Sequence, residues 1–150
     1  KSPRRWLLAA FTCLPAAALY PAIMPDSVID LKMPQHIITE NYALLKNTPI
    51  LLGNDVSIAT SLAWELKRDD IILYSDKGEV KYGLSYPDSA GKFVPRGRFN
   101  AWLANARKRG DVALLLRLSD DQRQIKRLPT PDKIIIDHHL GVVVYKKLEE

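Results

Sequence analysis

Cysteine is almost missing from this chain. Of 150 residues only Cys13 is one, and it sits inside an apolar run, which excludes a disulfide framework and a thiolate metal site. Glycine is sparse as well, with seven residues. None falls in the G-x-G-x-x-G spacing of a dinucleotide loop or before the Lys-Ser/Thr of a P-loop. No Gly-x-Ser-x-Gly elbow is present, and His36 alone defines no triad. No segment is repetitive or of low complexity. The net charge of +5 implies less than it suggests. Lys1, Arg4 and Arg5 lead the chain, so the rest, which holds all 17 acids, carries only about +2 and no nucleic-acid footprint.

What the chain does have comes first at its start. Three cations precede residues 6–24, a run of 19 residues without a charge. A helix over that run would reach about 28 Å, close to the hydrocarbon thickness of a bilayer. Its leading cations would remain in the cytoplasm by the positive-inside rule, which places everything after Asp26 on the far side. A secretory signal peptide shares this plan, with small residues near 16–18. Pro15 and Pro21 would kink a membrane helix, and an ordinary buried helix is a third reading. The absence of an initiator Met favours a piece of a longer protein. Residues 1–25 are therefore expected to be the end of a last transmembrane helix, and 26–150 a single extracytoplasmic domain. An exported domain without disulfides suits a bacterial periplasm.

Strand and helix signals alternate through that domain. Pro34 opens a helix to about Lys46, with Ile38, Tyr42 and Leu45 on one face. Ile50, Leu51 and Leu52 form a short apolar strand, after which Asn54 or Asp55 caps a helix burying Ala59, Leu62, Ala63 and Leu66. A strand over 71–75, a turn at Gly78 and a return over 80–84 predict a hairpin. Residues 85–92 read as a loop. Phe99, Trp102, Leu103 and Ala106 recur at helical spacing, and Gly110 stops that helix. Residues 112–118 read as a buried strand and Ser119 caps a short helix through Arg127. A terminal hairpin over 134–136 and 142–145 turns about Gly141. The fold class expected is α/β: a small sandwich of two or three layers with a mixed parallel and antiparallel sheet flanked by helices.

Three constellations carry chemical interest. Asp137-His138-His139 resembles the signature of the DHH phosphoesterases, which use two metal ions to activate water on a phosphate. That family also needs acidic motifs on earlier strands and a second domain after the signature. Here 11 residues follow His139 and no Asp-x-Asp follows an early strand, so the trio reads as polar residues leading into a turn. No metal and no cofactor are expected. Asn54-Asp55 stands where open α/β sheets bind ligands, yet a structural cap explains it more simply. Residues 92–109 hold Lys92, Arg96, Arg98, Arg107, Lys108 and Arg109 with no acid among them. Beside Phe93, Phe99 and Trp102 they form either a solvated face or a surface for anionic lipid phosphates.

One resemblance supplies a function. Asn54-Asp55-Val56, Leu62-Ala63-Trp64-Glu65-Leu66-Lys67-Arg68, Asp70-Ile71, Gly78-Glu79-Val80-Lys81-Tyr82-Gly83-Leu84, Tyr86-Pro87-Asp88 and Gly91-Lys92-Phe93-Val94 occur in order. They resemble the C-terminal region of the bacterial undecaprenyl-phosphate 4-amino-4-deoxy-L-arabinose transferases, which modify lipid A. The likeness is dense over residues 47–118 and looser elsewhere. It implies a GT-C-type glycosyltransferase of the inner membrane, with the soluble domain in the periplasm. The implied partners are the transferase's own membrane domain and two lipid substrates, the undecaprenyl-phosphate aminosugar and lipid A, with no nucleic acid. In that family the catalytic carboxylates lie in the membrane part, so no catalytic residue is carried over and the chain alone is expected to be inactive. Trp64, Glu65 and Lys67 match the family pattern and read as packing and helix-surface residues. Lys92, Arg96 and Arg98 are the candidates for substrate phosphate contact. The alternative is an exported α/β binding module of the bacterial envelope.

Overall fold

The computed structural model describes residues 33–118 and 123–148, together with 11, 14, 15, 17–20 and 23. The chain divides into two compact units, Lys1–Lys32 and Met33–Glu150. In the first, the described residues are helical and exposed. Among the described residues no helix is long and apolar enough to cross a membrane. Most of the span expected over 1–25, and the boundary expected after it, lie outside those residues.

The second unit is α/β. Its elements are α1 (Gln35–Glu40), α2 (Tyr42–Asn47), β1 (Ile50–Gly53), α3 (Val56–Leu66), β2 (Ile72–Ser75), β3 (Phe93–Pro95), α4 (Phe99–Ala106), β4 (Val112–Arg117), α5 (Arg123–Lys126), β5 (Lys133–Asp137) and β6 (Leu140–Tyr145). The six strands form one mixed sheet in the order β3-β2-β1-β4-β6-β5. β3, β2, β1 and β4 run parallel, while β6 is antiparallel to both β4 and β5.

Strand alternation assigns each side chain to a face. On one face Leu51, Ala113, Leu115, Val142 and Val144 pack against Ile58, Leu62 and Leu66 of α3, Ile37 and Ile38 of α1 and Leu45 of α2. On the other, Leu52, Leu114, Leu116, Val143 and Tyr145 pack against Phe99, Leu103 and Ala106 of α4. Covered on both faces, the sheet is the middle of three layers. Gly53 lets α3 lie close on β1: a Cβ there would stand 2.8 Å from the Ala59 backbone nitrogen.

Several expected elements come out differently. The helix drawn from Pro34 to Lys46 is two short ones, broken at Asn41, whose amide Nδ2 donates to the Ile37 carbonyl at 2.9 Å. That local bond competes with the helical ladder. Ile37, not Tyr42, joins Ile38 and Leu45 inside; Tyr42 is exposed. The hairpin over 71–84 does not form. Residues 78–89 make three short 3₁₀ turns instead, with Lys81 and Tyr82 exposed. The edge partner of β2 is β3, parallel to it and only three residues long, centred on the buried Val94. Three residues are too few for periodicity to register. The terminal hairpin forms as expected but turns at His138-His139, with Asp137 paired to Leu140. Gly141 lies within β6, where the Leu118 side chain covers it. The Ser119 cap falls outside the described residues.

Candidate functional site

From β1 the chain steps outward to β2 and then β3, and only afterwards returns to the other side of β1 as β4. The helices of the two steps lie on opposite faces, so the chain diverges just beyond the C-terminal ends of β1 and β4. Open α/β sheets take ligands at such a reversal. Along this edge stand, in strand order, Arg96 after β3, Ser75 of β2, Asn54 after β1 and Arg117 of β4. Asp137, at the end of β5, continues the same edge.

The two residues after β1 are structural in their contacts. Asn54 fastens β1 to β4: its Oδ1 accepts the Arg117 N–H at 2.9 Å and its Nδ2 donates to the Arg117 carbonyl at 3.3 Å. Asp55 is the N-cap of α3, with Oδ1 accepting from the Ile58 N–H and the Ser57 hydroxyl, each at 2.8 Å. Its Oδ2 takes the Arg117 Nε at 3.1 Å. Burial pushes the Asp55 carboxyl up, but the Ile58 N–H, the Ser57 hydroxyl and the Arg117 guanidinium outweigh it and hold the group below the ordinary carboxylate range. Asp55 fills the cap role expected of Asn54 or Asp55, while Asn54 ties two strands together.

Beside them Asn54, Tyr74, Ser75, Leu116, Arg96 and Arg127 line a crevice of about 20 Å³, room for a single water. Tyr74 is buried there, and burial raises its hydroxyl's pKa against the pull of the Arg96 guanidinium hydrogen-bonded to it. Ser75 has φ 80°, a left-handed conformation at the strand's end.

The basic stretch over 92–109 is divided by the fold. Arg96 and Arg98 follow β3 at the same edge as Asn54 and are exposed. Lys92 precedes β3, so roughly 13 Å of extended chain separates it from Arg96. It lines a different groove, with Val56, Ala59, Leu73, Val80 and Leu84. Arg107 to Arg109 lie at the end of α4, just before β4 begins, at the opposite edge of the sheet. There Arg107 donates to the Lys146 carbonyl at 2.6 Å and to Asp132 at 3.1 Å. Phe99 is core, tilted against Tyr74 and stacked near Trp102, and Phe93 sits under the Lys77 ammonium. Trp64 is 70 % exposed with the Lys67 ammonium 4.2 Å from its ring centre, so it is a surface residue rather than a packing one. Glu65 accepts from Gln35 at 2.7 Å across the groove between α1 and α3.

Sequence reading missed a second grouping on the edge. Asp137 meets His36, 101 residues away, through Oδ2 and Nδ1 at 3.2 Å, while its Oδ1 meets His138 Nδ1 at 2.7 Å. Glu40, one helical turn after His36, lies 3.5 Å from His36 Nε2. The i, i+4 spacing of His36 and Glu40 was visible in the sequence; their approach to Asp137 was not. His139 stands apart from this grouping in one respect, since its carbonyl accepts the Leu118 N–H at 2.7 Å.

A family model described as the C-terminal domain of the arabinosyl transferase ArnT matches residues 29–144. Among curated proteins, relatives named undecaprenyl phosphate-alpha-4-amino-4-deoxy-L-arabinose arabinosyl transferase align closely. The one from Aeromonas hydrophila is 45 % identical over 142 residues, covering 95 % of this chain and 26 % of the relative. Those from Erwinia tasmaniensis and Yersinia pseudotuberculosis are 44 % and 40 % identical, covering 94 % and 96 % of this chain and 25 % and 26 % of theirs. The chain thus spans about a quarter of the length of these relatives. No solved structure matches it.

Proposed function

The chain belongs to the family of the C-terminal domain of the arabinosyl transferase ArnT, and on that premise we propose that it is the C-terminal part of a membrane glycosyltransferase moving 4-amino-4-deoxy-L-arabinose from undecaprenyl phosphate to a lipid A phosphate. The observation that carries this reading is identity of 40 to 45 % sustained over nearly the whole chain. In this reading the catalytic groups belong to the portion of the relatives that the chain does not span, and the chain alone is inactive. The enzyme sits in the bacterial inner membrane with this domain in the periplasm, over the mouth of the catalytic cavity. Adding a primary amine to lipid A lowers the negative charge of the outer surface and weakens its attraction for cationic peptides such as polymyxin.

Within the domain, Arg96 and Arg98 on the ligand-binding edge are the phosphate contacts we propose. A guanidinium presents paired N–H donors that match a phosphate, and charge-assisted bonds of this kind are the strong ones. Lys92, opening on another groove, acts separately from them. The test uses the full-length transferase in a bacterial strain lacking its own, with lipid A mass spectra as readout. The full-length protein is expected to add aminoarabinose, and a version ending near Met24 to add none. Arg96→Ala with Arg98→Ala should lower modification on the order of tenfold, the scale of losing one charged hydrogen bond; Lys92→Ala should lower it less. Wild-type modification by the double variant would reject the phosphate role. No modification by the full-length protein, present in the membrane, would reject the transferase itself.

A further inference from the structure

We propose that His36, Glu40 and Asp137 form a binding site for a divalent cation of the zinc class, which clamps α1 to the β5–β6 turn. One donor atom from each of the three can be chosen so that all lie within 4.8 Å of one another. Among the described residues no other trio of His, Cys, Asp and Glu comes so close. A tetrahedral zinc shell, with bonds of about 2.0–2.1 Å, places neighbouring donors roughly 3.3 Å apart. The observed His36–Asp137 and His36–Glu40 separations, 3.2 and 3.5 Å, already bracket that value, although they use different ring nitrogens of His36. Two of the three side chains, His36 and Glu40, are more than half exposed, so the His36 ring can turn and the 4.8 Å spread of donors can close to bring one nitrogen and two carboxylates onto one ion.

The donor set fits the cation. One imidazole and two carboxylates suit zinc, cobalt or manganese, and a water takes the open position. Gathering the Glu40 and Asp137 carboxylates onto one point costs mutual repulsion, which a doubly charged ion between them offsets. Asp137 is also held from behind, since its Oδ1 takes the His138 ring nitrogen at 2.7 Å. Ligating carboxylates are ordinarily oriented by such an outer partner. The ligands come from a helix at the start of the domain and from the hairpin that finishes its sheet, so the ion would join two segments far apart in sequence. This site is separate from the phosphate edge at Arg96, and it stands whether or not the transferase reading does. It also differs from the phosphoesterase signature, because His36 and Glu40 replace His139.

Zinc titration of the untagged 150-residue chain in detergent, with Cys13→Ser as background to remove the only thiol, tests it by calorimetry and by the ring resonances of the three histidines. The expected result is one ion per chain at micromolar affinity, with His36 the most strongly shifted ring. His36→Ala, Glu40→Gln and Asp137→Asn should each weaken binding by more than about tenfold, the low end of what even an outer partner contributes. Their metal-free circular dichroism should match that of the parent, since His36 and Glu40 are exposed and the Asp137 change is isosteric. Absence of binding at millimolar zinc, or affinity unchanged in His36→Ala and Asp137→Asn, would overturn the site.

Discussion

Gly53→Ala probes the tightest of the glycine positions. The added Cβ would lie 2.8 Å from the Ala59 nitrogen, 3.0 Å from its Cα and 3.1 Å from Ile58 Cγ2, so two of its three nearest neighbours are backbone of α3 and cannot rotate away. Relief requires α3 to move off β1, and forced overpacking of this kind costs typically about 1–3 kcal/mol. The substitution also stiffens the unfolded chain, which returns about 0.4–1 kcal/mol. The net expectation is a loss of about 1–2 kcal/mol, or roughly 2–8 °C in Tm for a domain of this size. Gly83→Ala is the matched control, since a Cβ there meets nothing within 4 Å. It should be neutral or slightly stabilising. Urea unfolding followed by circular dichroism reads both, with an unchanged m-value marking a pure stability effect. If Gly53→Ala were as stable as Gly83→Ala, the tight α3–β1 contact, and with it the placement of Asn54 and Asp55 on the edge, would be refuted.

Asp55 should make the domain acid-sensitive. Its folded pKa is lowered, so its contribution is fully present above the ordinary carboxylate pKa of about 4 and is lost as pH falls through the lower folded value. Asp55→Ala should cost about 1 kcal/mol at neutral pH. Asp55→Asn should keep most of the cap and flatten stability below about pH 4; an acid limb identical to wild type would show that another carboxylate dominates. Lys67 ends α3 in the left-handed conformation, φ 53° and ψ 53°, where glycine carries no Cβ penalty. Lys67→Gly should raise stability by up to about 1 kcal/mol despite losing the stack on Trp64, and a lower urea midpoint would contradict this.

Much of the architecture was legible because it rests on local signals. The apolar runs of β1 and β4, the Asp55 cap and the i, i+3, i+4, i+7 stripe of Phe99, Trp102, Leu103 and Ala106 each satisfy a physical requirement within a few residues, and each forms in place. The family likeness was legible for a similar reason, as many residues in order carry it. The failures share a cause too. Residues 80–84 alternate like a strand, yet whether they pair depends on what reaches β2 first, and Val94 does so from a three-residue segment.

The same division runs through the functional groups. Sequence by itself determined most of the elements, the charges each carries and the family, since these depend on neighbours along the chain. Only the tertiary structure decided which charges stand together. The fold sends Arg96 and Arg98 to one edge of the sheet and, through the length of α4, Arg107 to Arg109 to the opposite one, although fewer than a dozen residues separate Arg98 from Arg109. It also brings His36 to Asp137 across 101 residues. Such meetings depend on the order of strands in the sheet, which is settled when two faces must be covered at once by three layers of packing.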